Sequence, residues 1–143
     1  SVDGDTPVTE PGFLVVITFD AARREWLDAG LFLHTGSFTA ERRDEQVNLF
    51  ELGLAAHWVR PLDGKTTLRV GGGLGYRRLF ADVPRYDDAD GIAVDVDATL
   101  SLRLATRLLG EVRLGALSQP WGRSEVGTVW FAPMPYLTLG AVF

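Results

Sequence analysis

Thr66–Asp82 reads TTLRVGGGLGYRRLFAD. Taken with a period of two, Leu68, Val70, Gly72, Leu74, Tyr76 and Phe80 fall on one face, and Arg69, Gly71, Gly73, Gly75 and Arg77 on the other. That alternation is the signature of a β-strand, but its polar face is unusual. Two arginines separated by three glycines stand where a solvated strand carries Lys, Glu or Thr. Glycine weakens a strand interior unless another group must come close, so this face is expected to look into a crowded space. The arginines then point inward and the leucines outward. A polar, filled interior inside an apolar wall is the arrangement of a transmembrane β-barrel.

The composition leaves room for that reading. The chain has 143 residues, enough for one domain or one small barrel. Hydrophobic residues make up 46% of it, yet no apolar run approaches the roughly 20 residues that a membrane helix requires. There is no cysteine, so disulfide scaffolds and Cys-ligated metals are excluded. Nineteen acidic residues against 14 basic ones give a net charge of −5 without a basic stripe, which argues against nucleic acid as a partner. The polar start at Ser1 lacks the basic and apolar regions of a signal peptide, as expected of a mature secreted chain or of one never secreted.

The rest of the chain alternates in the same way. Residues 1–11 are polar, contain two prolines and read as a tail, with the barrel domain expected over 12–143. Gly12–Asp20 is a β-branched first strand, and Ala21–Glu25 a polar turn. From Trp26, Leu27, Ala29, Leu31 and Leu33 alternate with Asp28, Gly30, Phe32 and His34. A charged loop follows over 39–46. Val47–Arg60 sets Phe50, Leu52, Leu54 and Trp58 against Glu51, Gly53 and His57, and Asp63-Gly64 marks a hairpin turn. Beyond an acidic loop at 83–90, Ile92, Val94, Val96, Leu100 and Leu102 alternate with Ala93, Asp95, Asp97, Thr99, Ser101 and Arg103. That strand is more than twice the usual length of about five or six residues and suits the tilted strands of a barrel. Leu108–Leu117 carries Glu111 and Arg113 on its polar face, and 118–124 reads as a loop. Residues 125–143 read as two strands, Val126–Phe131 and Pro135–Phe143, or as one with a proline bulge; the pair is expected, because it completes eight strands in an antiparallel up-and-down barrel.

Alternation does not say which face is wet; charge pairing does. With strands two and three folded about the 39–46 loop, a register in which paired numbers sum to 85 sets Asp28 opposite His57 and His34 opposite Glu51. Arg77 then lies near Glu51 on one side and near Asp95 or Asp97 on the other, and Arg103 reaches Glu111. The interior network expected is Asp28, His34, Glu51, His57, Arg69, Arg77, Asp95, Asp97, Arg103, Glu111 and Arg113. The lipid-facing set is Leu31, Leu33, Leu52, Leu54, Val94, Val96, Leu100 and Leu102. Trp26, Trp58, Tyr76, Phe80, Tyr136 and Phe143 lie toward strand ends, where a bilayer barrel places its aromatic girdles.

With these faces and the final LTLGAVF, the chain resembles small bacterial outer-membrane β-barrels of the OmpA and OmpX kind. Phe143, with Leu137, Leu139 and Ala141 on its face, resembles the C-terminal signal read by the barrel-assembly machinery, with Ala141 where a bulkier residue is common. Strands three to six are similar to the YfaZ-like barrels in their Leu-Gly runs and acidic loops. The resemblance implies a Gram-negative outer-membrane location, contact with outer-membrane lipid, and no cofactor. One feature runs against it: eight strands with both termini in the periplasm would put the longer connections on the periplasmic side.

Other chemistry is poorly supported. A lipid A-modifying hydrolase would use His34 with Thr35, Ser37 and Glu51, but His34 and Ser37 point to opposite faces and the expected His-x-Ser pattern is absent. No catalytic residue is therefore assigned. Asp82, Asp87, Asp88 and Asp90 match no calcium loop, and Gly71–Gly75 is no phosphate loop because no Gly-Lys-Ser/Thr follows. No metal site is expected. The expectation is an outer-membrane barrel plugged by ion pairs, structural or adhesive and not an open pore. The alternative is a soluble lipocalin-like carrier with an apolar ligand among Leu31, Leu54, Val96 and Leu100.

Overall fold

The computed structural model describes residues 9–40, 45–81, 89–124, 127–128 and 131–142. Among them it is all-β and antiparallel: β1 (Thr9–Arg23), β2 (Leu27–Ala40), β3 (Glu45–Pro61), β4 (Thr66–Ala81), β5 (Ala89–Ala105), β6 (Leu108–Ser124), β7 (Gly127–Thr128) and β8 (Phe131–Val142). Each strand from β1 to β6 pairs with the next in an up-and-down order. β7 and β8 both pair antiparallel with β6, so the eight strands occupy seven lateral positions.

Why these segments are strands follows from the faces. The outward row Phe19, Leu31, Leu54, Leu74 and Val94 crosses five strands through directly opposed pairs. A slip of one residue in any ladder would carry its leucines inward and its charges outward, so the two faces fix the register. The pairings summing to 85 hold along all of β2 and β3, with Asp28 opposite His57 and His34 opposite Glu51. The Asp63-Gly64 turn is locked by the Asp63 carboxylate, which accepts the backbone N–H groups of Lys65 and Thr66, both at 2.7 Å.

Several boundaries differ from expectation. β1 already begins at Thr9, with a register shift between Glu10 and Phe13 around Pro11. Residues 118–124 are not a loop: β6 continues to Ser124. Its ladder shifts between Leu117 and Gln119 on the β8 side, and the irregularity tolerates the exposed Pro120. The terminal segment is not divided at 132–134; Phe131–Val142 is continuous, with Ala116 opposite Pro135. Asp82, Asp87, Asp88 and Phe143 lie outside the described residues.

The sheet is strongly curled. Arg69 on β4 reaches Asp20 on β1, and the His34 ring on β2 lies 6.4 Å from the Tyr136 ring on β8. The strand ends that flank 24–26, 62–65 and 106–107 gather at one end, the turn end, and the strand ends that flank 41–44, 82–88 and 125–126 gather at the other, the loop end. Val142 lies opposite Leu109, so β8 finishes at the turn end. A small apolar cluster of Leu49, Leu79 and Ala89, with Leu14, Phe38 and Val47 against it, caps the interior near the loop end.

Candidate functional site: the polar interior

The inner face is built from rows of directly opposed residues. One row runs Asp28, His57, Gly71, Asp97, Gly115, Tyr136 across six strands. The glycines in it leave floor for their neighbours. His57 Nε2 passes over Gly71 to Asp97 Oδ2 at 2.8 Å. The Tyr136 ring lies over Gly115, and its hydroxyl donates to Asp95 at 3.0 Å. Phe32 uses the same device: a methyl carbon on Gly73 would stand 2.5 Å from its Cε1, and one on Gly53 2.6 Å from its Cζ. Phe32 on β2 thus reaches across β3 to lie over Gly73 and Gly75 of β4, whereas at Gly71 an added methyl carbon would meet the neighbouring backbone, 2.1 Å from the Ala56 carbonyl oxygen.

Around that floor the charges find partners. Arg77 and Glu51 are directly opposed and fully buried, with Arg77 Nε and NH2 at 2.9 and 2.8 Å from Glu51 Oε2. His34 Nδ1 is 3.7 Å from Glu51 Oε1, beyond hydrogen-bond range, and its ring packs on Phe32 at a centroid distance of 4.6 Å. Arg69 bonds Glu111 and Ser101 through NH2, and its NH1 lies 3.7 Å from Asp28. Arg113 Nε donates to Thr99 Oγ1 at 3.0 Å, and Thr99 in turn donates to Asp97 at 3.0 Å. The His34 ring nitrogens, Glu51 Oε1, Arg77 NH1 and the Gln119 side-chain amide are buried and make no hydrogen bond among the described residues. Such groups are satisfied by internal water where space allows.

Ten of the eleven residues expected inside thus lie on the inner face within one connected region. Arg103 does not join them. It is exposed beside the 106–107 turn and opposite Leu109, while Ser101 faces Glu111 and Arg69 takes that carboxylate from the other side. Tyr136 is a second correction: it points inward to Asp95 and is not part of an outer girdle. Sequence reading missed Asp20, Phe32, Thr99, Ser101 and Gln119 as participants. The inward parity of Phe32, Thr99 and Ser101 is legible but they are uncharged; Asp20 lies beside a turn, and Gln119 falls in the 118–124 segment that reads as a loop.

The expected lipid-facing residues are on the outer face. Leu31, Leu52, Leu54, Val96, Leu100 and Leu102 are exposed and Leu33 and Val94 half-buried. Outer aromatic residues lie toward the loop end (Phe13, Phe50, Tyr76, Phe80, Trp121) and the turn end (Phe19, Trp26, Trp58). The hydrolase set is not assembled: His34 faces in, Thr35 faces out, and Ser37 Oγ accepts from Gln46 Nε2 at 2.7 Å. Among the described residues no cluster of His, Asp or Glu has the geometry of a metal site.

No family model, curated protein or solved structure matches this chain. Its function is therefore argued from the geometry alone. A small pocket lined by Thr18, Asp20, His57, Arg69, Thr99 and Arg113, together with Gly30, Leu31 and Ala55, opens on the inner face beside β1 and β2.

Proposed function

We propose that this chain is a bacterial outer-membrane β-barrel whose interior is plugged by ion pairs, serving as a structural or adhesive membrane component and not as an open pore. One observation carries the reading: Arg77, Glu51 and His34 are 0% exposed, while Leu54, Leu74 and Leu139 are 67%, 64% and 79% exposed. In water that inversion wastes apolar burial at about 25 cal/mol per Å² and adds the cost of desolvating charges. In a bilayer the leucines meet lipid, and the charges are held among their partners.

Three features support it further. The strands of 12–17 residues exceed the roughly 9–11 that a tilted transmembrane strand needs. The outer aromatics flank an aliphatic band at both ends. Placing β7 and β8 in line along β6 leaves the 24–26, 62–65 and 106–107 turns together at the end where β8 finishes, with the β4 C-terminus and the β5 N-terminus at the opposite end. Short turns gathered at one end match such barrels, whose tight turns face the periplasm. An interior this narrow is filled by its own side chains, which disfavours conduction. A soluble carrier would need Leu31, Leu54, Val96 and Leu100 around its ligand, but they are on the outside.

The test is refolding into phospholipid vesicles followed by flotation and gel electrophoresis with and without boiling. Co-flotation with the vesicles and heat-modifiable mobility are expected. A chain that is monodisperse in buffer without detergent ends the proposal.

A further inference from the structure

The turn end carries a charge pattern that the interior network does not absorb. Three hairpin ends lie side by side there, joined by backbone bonds: the Trp26 carbonyl accepts the Val59 N–H at 3.0 Å, and the Lys65 carbonyl accepts the Arg103 N–H at 2.8 Å. Along that arc stand Arg24, Arg60, Lys65, Arg103 and Arg107, all exposed. Among the described residues none of these five side chains makes a hydrogen bond or an ion pair, whereas the acids beside them are engaged. Asp20 holds Arg23 at 2.7 Å, and the Asp63 carboxylate is taken by two backbone N–H groups. Glu25 is the one exposed carboxylate of these hairpin ends left over. The sequence sets the opposite balance in connections 41–45 and 82–90, which hold seven carboxylates against three arginines. Next to the arc the outer wall turns apolar: Trp26, Trp58 and Leu104 are 57%, 47% and 61% exposed. Trp58 precedes Arg60 by two residues on the same face of β3, a rise of about 6–7 Å.

We propose that this arc is a binding rim for anionic phospholipid headgroups, an inference that rests on the membrane reading above. An amphiphile is the partner whose two halves match the two halves of this surface. Its phosphate suits guanidinium and ammonium groups that give up no carboxylate to bind it, and its acyl chains suit the tryptophans and Leu104. Each cation near an anionic lipid surface adds attraction, and tryptophan takes the interfacial level just inside the headgroups. A soluble acidic polypeptide would meet the same charges but leave Trp26, Trp58 and Leu104 uncovered. A zwitterionic headgroup brings its own cation with its phosphate, so the rim is expected to select phosphatidylglycerol over phosphatidylcholine.

The test uses the full chain refolded into phosphatidylcholine bicelles, both faces of which are open to solvent. The background Trp121→Phe/Trp130→Phe leaves Trp26 and Trp58, at the turn end, as the only tryptophans. A minor fraction of the lipid carries bromine on its acyl chains, as phosphatidylglycerol in one sample and as phosphatidylcholine in the other, and quenching reports which lipid lies against the two rings. Quenching by the brominated phosphatidylglycerol is expected to be the greater by about twofold or more. That excess is expected to vanish at about 1 M salt, where charges are screened beyond about 3 Å. It is also expected to vanish in the variant Arg24→Gln/Arg60→Gln/Lys65→Gln/Arg103→Gln/Arg107→Gln; the salt titration decides alone if that variant does not refold. Equal quenching by the two lipids, or an excess that survives salt or the substitutions, overturns the proposal. Loss of the excess on adding inorganic phosphate or polyglutamate at the same charge concentration assigns the arc to a free anion or an acidic polypeptide, and overturns it as well. Equal quenching removes the rim alone, whereas no quenching by either brominated lipid removes the membrane reading.

Discussion

His57 and Asp97 belong to strands that are not neighbours, and they meet at 2.8 Å because Gly71 stands between them. A methyl carbon added at position 71 would stand 2.1 Å from the Ala56 carbonyl oxygen and push the β3 backbone away. A methyl carbon there would also stand 2.7 Å from the His57 Cα. Gly71→Val is expected to separate the pair and to destabilise the fold by about 1–3 kcal/mol, the usual cost of overpacking. Gly140→Ala, where an added methyl carbon meets nothing within 4 Å, is the matched control and is expected to be neutral. Urea titration of tryptophan fluorescence in vesicles measures both; equal midpoints for the two variants would show that the glycines are not there to make room.

The Arg77–Glu51 pair is the most deeply buried charge pair described, and removing one member strands the other. Glu51→Ala is expected to cost about 3–5 kcal/mol, because the Arg77 guanidinium keeps its charge and loses its carboxylate. The double variant Glu51→Leu/Arg77→Met removes both charges at similar volume and is expected to recover most of that loss. A double-mutant cycle on unfolding free energies checks the sign. Additive losses would mean that the two side chains do not depend on each other.

Much of this wall was legible in the sequence because strands report on themselves with a period of two. Both histidines facing carboxylates at a single register was enough to place β2 against β3 residue by residue. What stayed hidden involves partners that are not neighbours. Arg69 reaches Glu111 across β5, and no pairing of adjacent strands shows that an arginine side chain can span that width. Arg103 has the right parity, but it stands one pair nearer the turn than Ser101, where solvent competes for its charge. Tyr136 has inward parity but an aromatic character that suggested a girdle; the empty floor over Gly115 is what admits it. Extension of β6 through Ser118–Ser124 was masked by Pro120 and Gly122, which read as a loop until an irregular ladder accommodates them.

The 62–65 turn carries a pH dependence of known sign. Two backbone N–H groups on the Asp63 carboxylate favour its ionised form, and Lys65 adds attraction, so its pKa is held below the ordinary carboxylate value. A folded-state pKa below the unfolded one contributes stability above the unfolded value of about 4, and that contribution is lost as pH falls through the folded pKa. Asp63→Ala is therefore expected to be less stable than the parent at neutral pH and to converge with it in acid. Parallel urea midpoints from pH 7 downward test this; a gap that persists unchanged in strong acid would assign the loss to something other than the ionised carboxylate.

Leu54 sits mid-strand on the outer row with Leu31 and Leu74, and its side chain defines which solvent the wall was built for. If the wall meets hydrocarbon, Leu54→Arg places a cation near the bilayer midplane and is expected to cost about 2–4 kcal/mol. The same change at Phe80, at the strand's end, is expected to cost only about 0–1 kcal/mol, because an arginine there reaches the interface. If the wall meets water instead, both substitutions relieve an exposed apolar patch, and both are expected to be neutral or to improve solubility. Unfolding of Leu54→Arg and Phe80→Arg in vesicles gives the difference directly. A depth-dependent penalty follows from an outward face made of leucine and an inward face made of arginine and carboxylate, and the absence of a penalty would mean that lipid is not what those leucines meet.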